Sequence, residues 1–428
     1  MSDNNLSFVR TEMLPEQAPP LTASGPLKWL KENLFDGVFN SILTIVALYF
    51  VWQIVTGAFP WFWNGVWTTS SLAECREVLN GATGGCFSVL TERWNQLMFG
   101  FKYPVTEYWR PTIAFLLLFV AAAPVLFFKL PRKLLIFTAV YPFIAFWLIW
   151  GGTILVPIMI AVGFVAGYMV FTRLEAQSFA MGLGGAVIAA VLIWSLQGYL
   201  TRPLSGVLAL DPVPSRDMGG FMLNFILGVV CVSLSLPLGI VLALGRQSSM
   251  PIIKWICVVF IEFIRGVPLI TLLFVANVVL AYFLPPGTNF DLILRVIIMI
   301  TMFSSAYIAE VIRGGLAALP KGQYEAADSL GLDYAQSMRL IILPQALKIS
   351  IPGIVNVAVG LFKDTTLVSV ISMFDLVGMI RGPILASTAW NGVYWELWGA
   401  AILLFFPICY GISQYSQWLE RQLATGHR

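Results

Sequence analysis

Three pairs of charged residues sit inside stretches that are otherwise apolar, and their spacing limits what they can do. Glu262 and Arg265 stand three apart, so a helix would bring both to one side. Gly266 and Pro268 follow at once, where a helix is interrupted. Glu310 and Arg313 repeat the spacing, whereas Lys363 and Asp364 are adjacent and point about 100° apart on a helix, so they cannot share one neighbour. Thr365 and Thr366 follow them. An ionisable side chain in hydrocarbon costs on the order of 3 kcal/mol, so each of these needs a partner or a wet cavity. The planar fork of Arg265 can take a carboxylate, beside backbone groups freed by the Gly266 and Pro268 interruption. Alternatively, Glu262 and Arg265 pair with each other and brace the kink. Glu310 and Arg313 read first as a bracing pair and second as the lower wall of a path. For Lys363 and Asp364, a path and a brace between helices are both open.

The same inventory argues against catalysis. The only histidine is His427, and no His, Cys or paired-carboxylate cluster has catalytic spacing. No G-x-x-x-x-G-K-[ST] run is present, so any ATP must be bound by another polypeptide. The sequence implies no cofactor or metal in this chain, and no nucleic acid as partner.

The elements that must hold these residues are membrane spans. With 58% hydrophobic and 11% charged residues over 428 positions, the chain is an all-α polytopic membrane protein embedded in a lipid bilayer. Residues 1–25 are polar and proline-containing and read as a disordered tail, followed by a short amphipathic helix over 27–36. An N-terminal membrane extension covers 26–199, with spans at about 37–58, 110–128, two within 134–171 split at Gly151-Gly152, and 178–199. Between the first two lies a polar loop, 59–110, whose tryptophans suit a headgroup layer. A proline-containing linker, 200–218, leads to a core over 219–421 with spans at about 219–244, 252–284, 291–314, 345–373 and 394–416, and a tail over 422–428. Gly219, Gly220, Gly228, Gly239 and Gly245 suggest close helix packing, with a second subunit as one candidate partner. This parity puts both termini on one side, where Lys129, Arg132, Lys133, Arg173, Arg246 and Arg313 also fall, as the positive-inside bias expects.

Cys231, Cys257 and Cys409 lie in apolar runs, as buried small hydrophobes do. Cys75 and Cys86 lie in the polar loop with Asn80-Gly81 and Gly84-Gly85 between them, which permits a Cys75–Cys86 disulfide if the loop faces an oxidising compartment, or else two free thiols.

Residues 323–344, QYEAADSLGLDYAQSMRLIILP, are the longest polar run in this half. Good helix formers over 323–330 end at Gly331, where a left-handed cap is needed. Asp333 and Gln336 then form a capping box for a second short helix, which Pro344 is expected to stop. The result is a helix, a bend and a helix on the membrane surface.

This stretch resembles the EAA motif of ABC importer permeases: Glu325-Ala326-Ala327, Gly331, then Ile342-Leu343-Pro344. Ile264-Arg265-Gly266-Val267-Pro268-Leu269 upstream and Lys363-Asp364-Thr365-Thr366-Leu367 downstream resemble the polar amino-acid branch. The extension, with its Cys75 to Cys86 loop and Phe99 to Pro104 stretch, is similar to the larger permease of general L-amino acid, or glutamate/glutamine/aspartate/asparagine, systems. The resemblance implies a five-helix type I importer core preceded by about five extra helices, in a bacterial inner membrane with both termini cytoplasmic. It implies a heterodimer with a second homologous permease, two ATPase subunits that bind ATP and Mg, and a periplasmic binding protein delivering polar L-amino acids. On the same grounds Tyr324, Glu325, Ala326, Ala327, Ser329, Leu330, Gly331, Leu332 and Asp333 are expected to contact the ATPase. Glu262, Arg265, Gly266, Pro268, Glu310, Lys363, Asp364, Thr365 and Thr366 are candidates for the substrate path. The rivals are a secondary transporter, in which Glu262, Glu310 and Asp364 would serve an ion gradient, and a membrane enzyme, which the missing catalytic spacing disfavours.

Overall fold

The computed structural model describes residues 25–279, 282 and 291–423. The expected tail over 1–25 falls outside them apart from Gly25, and 424–428 also lie outside, while the last helix continues to Leu423. The described residues form helices and isolated bridges with no strand. Nine helices among them are long and apolar enough to cross a membrane, ten if one bent pair counts as a single span.

The chain divides into two compact units, Met1–Val66 with Arg76–Cys86, and Trp67–Cys75 with Phe87–Arg428. The first contains α1 (Pro26–Leu34) and α2 (Gly37–Trp63). No side chain of α2 is buried, and its apolar residues suit a hydrocarbon environment. Rather than ending at 58, α2 continues through Pro60 to Trp63, and Asn64 closes it with its N–H donating to Pro60 O at 3.0 Å. An isolated parallel bridge then pairs Val66 with Cys86, with Val66 N–H donating to Gly85 O at 2.9 Å.

The stretch expected as a loop over 59–110 is folded. It holds α3 (Leu72–Leu79) and α4 (Ser88–Phe99), with Val89 and Leu97 of α4 buried. In the second unit, α5 (Trp109–Leu126), α6 (Leu135–Trp150), α7 (Leu155–Leu174) and α8 (Phe179–Thr201) follow, and the 134–171 run breaks between Trp150 and Leu155 as Gly151-Gly152 indicates. Gly151 has φ +73°, and a Cβ there would run into Asp211 O and the Arg110 guanidinium. Arg110 is itself buried, pairs with Glu107 and donates to Asp211 O at 2.7 Å. The 200–218 linker is therefore strapped down rather than loose, with Gly152 and Leu210 exchanging backbone bonds of 2.8 and 3.1 Å.

The second half holds α9 (Gly220–Arg246), α10 (Pro251–Gly266), α11 (Leu269–Phe274, continued by a π turn to Val279) and α12 (Leu292–Ala317). The span expected over 252–284 is bent by 102° between α10 and α11. Pro268 lacks an N–H to continue α10 and instead starts α11, its carbonyl accepting from Thr271 N at 3.0 Å. α13 (Lys321–Ser329), α14 (Tyr334–Ser337), α15 (Leu343–Asp364), α16 (Leu376–Met379) and α17 (Tyr394–Leu423) complete the chain. Pro344 does not stop the second short helix. A π turn over Met338–Ile342 widens the backbone just before it, so the missing N–H falls at the register change and α14 runs on into α15.

Glycines of α9 serve close helix packing within the chain, as expected of them. A Cβ on Gly228 would come within 2.5 Å of the Phe362 ring, and one on Gly239 within 2.6 Å of Ile308. Gly245 abuts Cys257. Helix backbones can approach this closely only where side chains are absent. Around them lies an apolar core that includes Met222, Leu223, Leu227, Ile293, Val296, Ile300, Leu361 and Val368.

Candidate functional site

The 321–337 segment is a knob built from local signals. α13 closes in a Schellman cap, with Gly331 at φ +69°, its N–H donating to Asp328 O at 2.9 Å and Leu332 N–H to Ala327 O at 3.3 Å. Asp333 and Gln336 form the reciprocal capping box, at 2.7 and 3.3 Å. Over 324–333, buried or half-buried positions fall among exposed ones. Ala327 is fully buried against the neighbouring helices, whereas Glu325, Ala326, Ser329 and Asp333 are exposed, with Tyr324 and Leu332 half-buried. Leu330 is 71% exposed and Tyr334 63%, which sets apolar surface beside the polar groups of the segment. A groove of about 390 Å³ runs between Gln247, Tyr324, Asp328, Tyr334, Ser337 and Met338. Burial in its wall, with Tyr334 alongside, raises the Tyr324 phenol above its ordinary value.

At the end of α12 that feeds this knob, five charges converge. Arg246 Nη1 is 2.8 Å from both Glu262 Oε1 and Glu310 Oε1. Glu310 Oε2 lies 3.1 Å from Arg313 Nη2 and 3.6 Å from Arg265 Nη1. The expected brace between Glu262 and Arg265 is thus replaced: each turns to a partner on another helix, Glu262 to α9 and Arg265 to α12. The residue that sequence reasoning missed is Arg246, which at the end of a span looks like an ordinary flanking cation.

The Arg265 guanidinium also lies over the Tyr307 ring, 5.5 Å from its centroid. Tyr307 helps line a cavity of about 250 Å³ with Phe303, Ser304, Val357, Gly360, Leu361 and Asp364. The structure therefore brings Arg265 and Asp364 to Tyr307, with Glu310 behind Arg265 at 3.6 Å. It does not bring the other candidates there. Gly266 and Pro268 are exposed at the α10 break, Lys363 is exposed, and the Thr366 hydroxyl donates to Lys363 O at 2.9 Å.

Thr365 is fully buried in a separate polar network. Asn224 Nδ2 donates to Thr365 Oγ1 at 3.0 Å and to Asp375 Oδ2 at 3.1 Å, while Asn224 Oδ1 accepts from Leu376 N at 3.1 Å. Asp375 caps α16 through Gly378 N and Val377 N. Burial pushes the Asp375 carboxyl up to about 6, against the pull of these donors. Asn224 and Asp375 were also missed, although an Asn inside an apolar span and an Asp before Leu376-Val377-Gly378 were signals that could have found them. Cys75 and Cys86 are both disulfide-bonded, and Cys231, Cys257 and Cys409 are free.

Residues 235–424 match the family described as binding-protein-dependent transport system inner membrane component. Over the whole of both chains, the sequence is 51% identical to the glutamate/glutamine/aspartate/asparagine transport system permease protein BztC of Rhodobacter capsulatus. The chain belongs to this permease family. It is also 36% identical to the inner membrane amino-acid ABC transporter permease protein YhdY of Escherichia coli, over 96% of this chain and 97% of that one. A crystal structure of an amino acid ABC transporter with histidines is 32% identical, covering 47% of this chain and 92% of that one, with a TM-score of 0.42. The permease is accordingly a multi-pass inner-membrane subunit of an ABC importer, and ATP hydrolysis belongs to a separate subunit.

Proposed function

We propose that this permease carries polar L-amino acids from the periplasm to the cytoplasm, driven by a separate ATPase that docks on the 321–337 knob. The observation that supports this most directly is the knob itself: two caps hold it rigid while Leu330 and Tyr334 stand exposed. A rigid, partly apolar projection is what a partner subunit can grip and move. Tyr324 to Asp333 form its contact surface, and both termini share its cytoplasmic side. The remaining assembly is a second homologous permease, two ATPase subunits holding ATP and Mg, and a periplasmic binding protein. A Cys75–Cys86 pairing fits the periplasmic face.

The substrate path runs by the Asp364 cavity, where a carboxylate suits an α-ammonium group, with Arg265 behind Tyr307 suited to a carboxylate. Co-purification of this permease with its ATPase, followed by uptake of radiolabelled glutamate, glutamine, aspartate and asparagine into proteoliposomes, tests the reading. ATP-dependent uptake that requires the binding protein is expected. Uptake by the purified chain alone under a proton or sodium gradient would overturn it.

A further inference from the structure

We infer that Arg246 is a positioning residue whose two-carboxylate grip makes the ends of α9, α10 and α12 one body, and that this body sets how far knob movement reaches the transport path. The inference rests on the coupling role proposed above. Arg246 is the last residue of α9, and a single nitrogen of its guanidinium reaches Glu262 on α10 and Glu310 on α12. Glu310 is 15% exposed, and both its oxygens are engaged: Arg313 Nε lies 3.1 Å from each, Arg246 holds the first, and Arg265 approaches the second. It therefore has no oxygen left for a substrate ammonium, and its role is to orient three arginines.

Close backbone packing surrounds the cluster. Gly245 abuts Cys257 across α9 and α10, Gly239 faces Ile308 across α9 and α12, and Gly315 abuts Ser350 across α12 and α15. Directly beyond, Leu316, Leu319, Met338 and Ile342 share one apolar cluster, with Tyr324 of the knob packed against it. The members of the cluster remain partly solvated, Arg246 at 22%, Arg265 at 33%, Arg313 at 43% and Glu262 at 53% exposed, so the ion pairs add little to overall stability. What they add is relative position: three helix ends cannot slide past one another without separating Arg246 from one carboxylate. Loss of that constraint would let the knob move while the spans lag.

The test uses the assembled transporter in proteoliposomes, with ATP hydrolysis and amino-acid uptake measured on the same vesicles. In Arg246→Gln, ATP hydrolysed per amino acid moved is expected to rise by about fivefold or more, with the ATPase subunit retained at the wild-type amount. Arg246→Lys keeps a cation that can hold both carboxylates and is expected to restore most of the ratio. Glu262→Gln removes one of the two partners at a half-exposed position and gives the same readout should Arg246→Gln fail to insert. An unchanged ratio in the glutamine variants would overturn the inference. So would a proportional fall of both rates with the ATPase retained, or an equal defect in the Lys and Gln variants. Absence of ATP-driven uptake in the wild-type assembly would instead count against the proposed function and leave the wild-type ratio undefined.

Discussion

Replacing Asn224 with Ala is the sharpest test of the buried polar network. The side chain is fully buried and makes three hydrogen bonds, so its removal strands specific groups. The Leu376 N–H loses its acceptor, at about 1–3 kcal/mol for an orphaned buried donor. The Asp375 carboxylate loses one donor, at about 1.5–3 kcal/mol for a bond to a charged group. Thr365 loses least, because its hydroxyl still donates to Phe362 O at 2.7 Å. The expected loss is about 4 kcal/mol near neutral pH.

Protonation gives this prediction a second dimension. Burial raises the Asp375 carboxyl from 3.8 to about 6, roughly 3 kcal/mol of linkage. A carboxyl raised in the folded state contributes stability that is fully present below about 3.8 and lost as pH climbs through about 6. Wild type should therefore gain stability on acidification from about pH 7.5 to about pH 5. Without the Asn224 donor the carboxyl rises further, so the variant gains more and its deficit shrinks to about 2–3 kcal/mol. Unfolding by SDS titration in mixed micelles at the two pH values measures both deficits. A deficit under about 1 kcal/mol near neutrality, or one that does not shrink in acid, would refute the account.

Four further substitutions separate conformational from steric and polar effects. Gly331→Ala meets nothing within 4 Å and loses only its left-handed backbone freedom, so it should cost about 1 kcal/mol while lowering ATPase stimulation by the binding protein. Gly151→Ala and Gly152→Ala share positive φ, but only the first runs into Asp211 and Arg110; it should lose more than about 3 kcal/mol against about 1 for the second, read as membrane yield and resistance to proteolysis. Trp390→Phe keeps a ring in a fully buried site but frees Glu92 Oε2, now bonded at 3.0 Å to the indole N–H, and should cost about 1–2 kcal/mol in the same SDS titration.

What the sequence could express was what is local. Gly331, the Asp333 and Gln336 box, and Gly151-Gly152 each act within a few residues, and the structure places each turn at those positions. Pro344 misled because membrane helices tolerate proline, as α2 does at Pro60, and here a π turn just before it absorbs the missing N–H, a local choice that no neighbouring residue announces. Partner choice failed for a different reason. Arg246 and Glu310 are sixty-four positions apart, and Asn224 and Asp375 are 151 apart, so their pairing follows from helix packing and not from spacing. The 59–110 stretch hid α3 and α4 because short helices with few buried residues leave little periodicity to read.

The continuity of α14 into α15 limits how a push on the knob, as the proposed ATPase docking requires, could travel. From Tyr334 to Ile371 one run of 38 helical residues, about 55 Å at 1.5 Å per residue, starts at the Asp333 cap and passes the cavity at Asp364. Its far end carries Thr365, which is bonded to Asn224 of α9. α9 is thus held at one end by Asn224 and at the other by Arg246, while α15 crosses it near Gly228 and Phe362. A push on the knob cannot translate α15 freely, since that would break the buried bond at Thr365. The softest joint is the π turn at Met338–Ile342, where the hydrogen-bond register is already irregular. Under the proposed docking of an ATPase on the knob, movement would resolve into a tilt of α15 against α9, and a tilt pivoting near Thr365 would change the spacing of Val357, Gly360 and Asp364 from Ser304 and Tyr307, the two walls of the cavity.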